Sequence, residues 1–77
     1  MEELLVAIAQ GLVDEPAAVN VTVDPVNEEG IVVYHLHVAA DDMGRVIGKQ
    51  GRIAKAIRAI MRATANRKDM KIQVEID

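Results

Sequence analysis

The sequence holds 77 residues, 51% of them hydrophobic, with no cysteine and a formal net charge of −3. So short a chain makes one small domain that buries only about 60% of the surface its unfolded form exposes, and without cysteine it can form neither disulfides nor thiolate metal sites. No apolar run approaches the roughly 18 residues of a membrane span, and the opening MEELL is acidic where a secretory leader is basic, so the expectation is a single soluble, cytoplasmic domain over residues 1–77.

Glu2 to Val13 reads as an amphipathic helix, with Leu4, Leu5, Ile8 and Leu12 at helical spacing and acidic residues in the first turn. Asp14-Glu15-Pro16 stops it, because the residue before a proline leaves the helical region. From Val19 the chain alternates strictly, with Val19, Val21 and Val23 on one face and Asn20, Thr22 and Asp24 on the other, which is a half-buried strand. Pro25 to Gly30 carries turn chemistry. A second strand runs from Ile31 to Ala39, with Val32, Tyr34, Leu36 and Val38 sharing one face and Ile31, Val33, His35 and His37 the other. Asp41 or Asp42 caps a short helix through about Ile47, a glycine loop follows, and a longer helix runs from Arg52 to about Ala65. The end alternates again: Met70, Ile72, Val74 and Ile76 against Lys71, Gln73, Glu75 and Asp77.

A short turn makes the first two strands antiparallel, whereas a two-helix crossover favours a parallel pairing of the second and third. Each strand has one apolar face, so the helices should cover one side of a mixed three-stranded sheet. The expected class is α+β, a two-layer α/β sandwich in the order α-β-β-α-α-β. On the last helix Ile53, Ile57, Ile60 and Thr64 form the stripe toward the sheet, and Arg52, Lys55, Arg58 and Arg62 face outward.

The net charge conceals an asymmetry. The first 44 residues hold nine carboxylates and no Lys or Arg, a balance of −9; the last 33 hold all nine Lys and Arg against three carboxylates, a balance of +6. Such a split points to a polyanion partner, although two halves that neutralise each other across a folded surface would look the same. The cations gather around Gly48-Lys49-Gln50-Gly51. A helix N-terminus offers unpaired N–H groups to an anion, and glycine lets a sugar-phosphate chain approach the main chain at Gly48 and Gly51. Arg45, Lys49 and Arg52 supply charge beside it, while Lys49 and Gln50 project as its tip. The plain alternative is a tight helix–helix turn that needs glycine for its own geometry.

The run Val46-Ile47-Gly48-Lys49-Gln50-Gly51-Arg52-Ile53, with Ile57 four residues on, resembles the core signature of the KH domain, V-I-G-x-x-G-x-x-I-x-x-I, with the isoleucine after the loop shifted by one place. A helix and a strand ahead of the signature resemble the type II arrangement of bacterial KH domains. Asp14 to Val19 and the GRVIGKQGR run are similar to the KhpA family of small RNA-binding proteins. The resemblance implies a type II KH fold over the whole chain and a grip on about four nucleotides of a single strand by their backbone. It implies backbone contact at Gly48 and Gly51, flanking phosphates on Arg45, Arg52 and Lys55, and an apolar floor from Val46, Ile47 and Ile53. The second strand would form the opposite wall. With a single aromatic residue the chain lacks a stacking platform, so one copy should bind weakly, and single-stranded DNA is not excluded. The family also pairs with itself and with a second KH protein, KhpB (also called Jag or EloR), and has links to cell elongation and division.

The competing expectation is a pairing module whose partner makes the nucleic-acid contacts, with Ala54, Met61 and Ala65, just beyond the core stripe, as its interface. Catalysis is not expected. The sequence has no Ser or Cys nucleophile, and His35 and His37 read as a solvent-facing pair rather than as metal ligands. Neither a cofactor nor a small-molecule substrate is implied.

Overall fold

The computed structural model describes residues 1–76, and residue 49 by its backbone alone. In chain order it contains α1 (Glu2–Gln10), a 3-10 turn (Pro16–Ala18), β1 (Asn20–Val23), β2 (Ile31–His37), α2 (Ala40–Arg67) and β3 (Lys71–Ile76). The sheet order is β1-β2-β3, with β1 antiparallel and β3 parallel to β2. The expected α+β class and mixed three-stranded sheet are borne out.

Alternation sets the layers. Val21, Tyr34, Leu36 and Val74 project from the three strands into one buried cluster with Leu5 and Ala9 of α1 and Ile57 and Met61 of α2. Both helices therefore lie on the same face of the sheet. Register follows, since Val21 opposes Leu36 and Tyr34 lies beside Val74, and a slip by one residue would turn all of them outward. The β1–β2 connection is fixed by Asn27, whose Oδ1 accepts the N–H groups of Glu29 (2.9 Å) and Ile31 (3.0 Å). Gly30, at φ 79°, supplies the left-handed step of that turn.

Several details differ from the sequence reading. α1 stops at Gln10 rather than Val13; Gly11 ends it before the Asp14-Glu15-Pro16 segment is reached, and Leu12 is left 39% exposed. Pro16 opens a 3-10 turn, at a position where its missing N–H is not needed. The two helices expected around the glycine loop are one helical span of 28 residues, α2. The loop survives inside it as two consecutive left-handed residues, Gln50 at φ 65° and Gly51 at φ 69°. α2 ends through another left-handed residue, Asp69 at φ 55°, with the Met70 N–H reaching back to the Ala65 carbonyl at 2.8 Å. Asp77, placed by its alternation in the last strand, lies outside the described residues.

The buried stripe of α2 is also turned relative to the expected one. Ala54, Ile57, Met61 and Ala65 are buried, whereas Ile60 is 45% exposed and the Thr64 hydroxyl donates to the Ile60 carbonyl at 3.0 Å. Apolar residues occupy so wide an arc of this helix that spacing alone fits either stripe. Burial of the alanines, which bring α2 down onto the sheet, settles it. Ala54, Met61 and Ala65 therefore cannot form a pairing surface: they are 4%, 0% and 1% exposed inside the domain's own core.

Candidate functional site

The first turns of α2 are fastened to the chain that follows α1. Asp42, 2% exposed, accepts the backbone N–H groups of Asp14 and Glu15, one on each carboxylate oxygen, both at 3.1 Å. A buried carboxylate is tolerable only with such partners. One turn later Val46 is fully buried and anchors the same end of the helix. Arg45 lies between them in sequence and points outward, its Nη1 donating to Asp14 Oδ1 at 2.7 Å.

Beyond this anchor lies an open cavity of about 490 Å³, lined by Gly44, Arg45, Gly48, Arg52 and Ile53. The two glycines are four residues apart and so share a helix face. Either one carries a helix penalty of roughly 1 kcal/mol relative to alanine. Neither has a positive φ, and a Cβ built on either meets nothing within 4 Å. The protein's own packing does not require glycine at 44 or at 48. Gly51 is different, because its φ of 69° is a conformation that side chains rarely adopt. The tight-turn explanation thus holds for Gly51 and fails for Gly48.

Of the residues singled out in the sequence, the structure brings Arg45, Gly48, Arg52 and Ile53 to one cavity and places Gln50 exposed at the adjacent turn. Ile47, 51% exposed, stands clear of the core on the same helix. Val46 is a correction: with no exposed surface it cannot be a floor for bases. Lys55 is exposed but is not among the residues lining the cavity. It lies on the flank of α2 that also carries Arg58 and Arg62. Arg58 turns to the sheet edge, its Nε donating to the Val74 carbonyl at 3.3 Å, and with Arg62 it borders a second cavity, of about 400 Å³, beside β3. The helix cations therefore divide between two faces. The side chain of Lys49 lies outside the described residues. The described lining of the first cavity comes entirely from α2, so β2 does not supply the expected opposite wall there.

On the far face of the sheet His35 is half-buried and its Nε2 is 2.8 Å from Asp24 Oδ2. Among the described residues no three His, Cys, Asp or Glu side chains are grouped to hold a metal ion. Among the described residues, too, no helix is long and apolar enough to cross a membrane.

Comparison with known proteins places the chain in a family. The family described as "KhpA/KhpB, KH domain" matches residues 2–76. The chain belongs to the KhpA/KhpB KH-domain family. Its relatives include "RNA-binding protein KhpA" of Listeria monocytogenes, 50% identical over 76 residues that span 99% of this chain and 97% of the relative. The KhpA of Clostridium perfringens is also 50% identical, over 99% of both chains. That of Treponema pallidum is 45% identical over 97% of this chain and 91% of its own.

Within this KhpA/KhpB domain the sequence reading overlooked three residues near the G-x-x-G turn: Gly44, Asp14 and Asp42. A signal existed for Gly44, since a second glycine one helical turn before Gly48 weakens a helix twice on one face. Asp14 and Asp42 gave none. Their roles depend on a contact 28 residues apart in the chain, and both sit where an acidic residue reads as an ordinary helix stop or first-turn residue.

Proposed function

We propose that this chain binds single-stranded RNA, without catalysis, by gripping its sugar-phosphate backbone along Gly44, Arg45, Gly48, the Gln50–Gly51 turn and Arg52. The observation that carries the reading is Gly48: a helix-weakening residue at a position where the fold leaves room for a side chain, on the wall of a cavity flanked by two arginines. Glycine there makes sense if something outside the protein must approach the helix backbone. Arg45 and Arg52 give that partner a negative charge. Consecutive amides at a switch to left-handed conformation form a concavity suited to a phosphate oxygen, and Gln50 and Gly51 make such a switch. Relatives named RNA-binding protein KhpA support RNA as the polymer. Lys49 and Gln50 form the tip of the grip, Ile47 and Ile53 are the apolar surface available to bases, and about four nucleotides are held. The proposed setting is the cytoplasm, in post-transcriptional regulation.

Fluorescence anisotropy with random-sequence single-stranded RNA tests the reading. Weak binding is expected, with a slope of log K against log salt of about −2 to −4 for three to five phosphates. The Lys49→Asp/Gln50→Asp variant should lose it while remaining folded. Binding retained by that variant would remove the G-x-x-G turn from the mechanism.

A pairing role is favoured by one further observation. The outward row of α2 is apolar, with Ala56, Ala59, Ile60 and Ala63 all exposed at helical spacing. We assign self-association, or association with a KhpB-type KH protein, to this row. Pairing would present two grips and raise avidity through effective concentration. Ile60→Asp should leave the domain folded and shift sedimentation to the monomer; an unchanged profile would rule the row out.

A further inference from the structure

We propose that Asp14 is an affinity-setting residue of the RNA grip: in the free protein its carboxylate holds the Arg45 nitrogen that a ligand phosphate takes on binding. The inference rests on the RNA-binding reading and deepens it. Three observations carry it. Arg45 lines the glycine cavity, yet its Nη1 is occupied by Asp14 Oδ1 at 2.7 Å. Asp14 is not there by the accident of a loose loop, because buried Asp42 clamps the backbone N–H groups of both Asp14 and Glu15. The side chains of the pair are 52% and 76% exposed, so the ion pair is solvated and weak enough for a polyanion to exchange.

The exchange has a definite ionic signature. A phosphate that lands on a free arginine releases a condensed counterion, which steepens the salt dependence. When the phosphate must first displace Asp14, the freed carboxylate recruits a cation, and the net release falls. Asp14 therefore makes binding both weaker and less dependent on salt than the cations of α2 alone would make it. It also narrows the choice of ligand. A polymer that fails to place a phosphate at Arg45 leaves the pair closed and gains nothing from that arginine.

The test is a double-mutant cycle between Asp14→Asn and Arg45→Gln, read by anisotropy with the same single-stranded RNA over a salt series, with thermal melts to establish folding. Asparagine keeps the backbone N–H that Asp42 accepts. Asp14→Asn should bind about two- to fivefold more tightly at low salt, the range of an exposed ion pair, with a slope steeper by up to about 0.7. The gain should vanish in the Arg45→Gln background. Weaker binding by Asp14→Asn would show that the carboxylate positions Arg45 for the ligand and would overturn the proposal. An equal gain in both backgrounds would also overturn it, since a general charge effect needs no exchange. The RNA-binding reading fails separately, through wild-type protein that does not bind or that ignores the Lys49→Asp/Gln50→Asp change.

Discussion

The two halves of α2 use the same kinds of residue for opposite ends. After the Gln50–Gly51 turn, small residues serve packing: Ala54 and Ala65 are buried and let Ile57 and Met61 reach the sheet. Before the turn, small residues serve emptiness. Gly44 and Gly48 face a cavity in which even a methyl group would touch nothing. A small residue is informative only together with what surrounds it. In the second half a side chain is absent because protein fills the space; in the first it is absent although nothing does. The first half is also tied to chain outside its own helix, through Asp42 and the Asp14–Glu15 backbone, as a surface that must receive a ligand in a fixed geometry requires.

This contrast can be broken most forcefully in the packed half. Met61→Ala removes a fully buried side chain and should destabilise the domain by about 2–5 kcal/mol, a large share of what so small a domain has. The protein that remains folded should bind RNA as the wild type does. Chemical denaturation and anisotropy at a temperature below the transition read the two effects apart. Altered affinity in the folded fraction would mean that the halves are coupled.

A smaller effect is expected at the turn itself. Gly51→Ala forces a side chain into φ 69° and should cost roughly 1–2 kcal/mol, measured by the same denaturation. Unlike Gly48, Gly51 is needed by the fold, so this variant should lose stability whether or not RNA is present. An unchanged midpoint would show that the left-handed turn is not maintained.

The smallest effect concerns Tyr34, the sheet residue against which the packed half lies. Burial raises its phenol above the usual value near 10, and the negative charge of Glu2 adds to this. The folded state thus favours the neutral phenol. Its contribution is fully present below the unfolded pKa and declines as pH climbs past it, because the unfolded chain ionises first. Tyrosinate absorbance should rise later in the folded protein than after unfolding, and stability should fall over the same alkaline range. Coincident titrations would place Tyr34 in solvent.

Much of this arrangement was legible in the sequence. Period-two alternation in Val19–Val23, Val32–Val38 and Ile72–Ile76 found the strands and their inward faces, and the V-I-G-x-x-G run located the turn. Four features were not. The facing of α2 was missed because its apolar residues cover too wide an arc, and that error sent Met61 to the surface. Val46 was placed at the site by motif position, although its neighbours bury it. The break in α2 was expected as a loop, but two left-handed residues suffice to turn the chain. The link from Asp42 through the Asp14 backbone to Arg45 spans α1's exit and α2's start, and no local pattern encodes it.

The central claim, that glycine at 48 serves a ligand and not the fold, is tested most directly by Gly48→Ala, measured for thermal stability and RNA affinity on one preparation. Alanine fits the space and favours helix, so the melting temperature should rise, by the equivalent of about 0.5–1 kcal/mol. Affinity should fall about tenfold or more, the loss of roughly 1.4 kcal/mol of backbone contact. A variant that is more stable and binds RNA as well as the wild type would contradict the account.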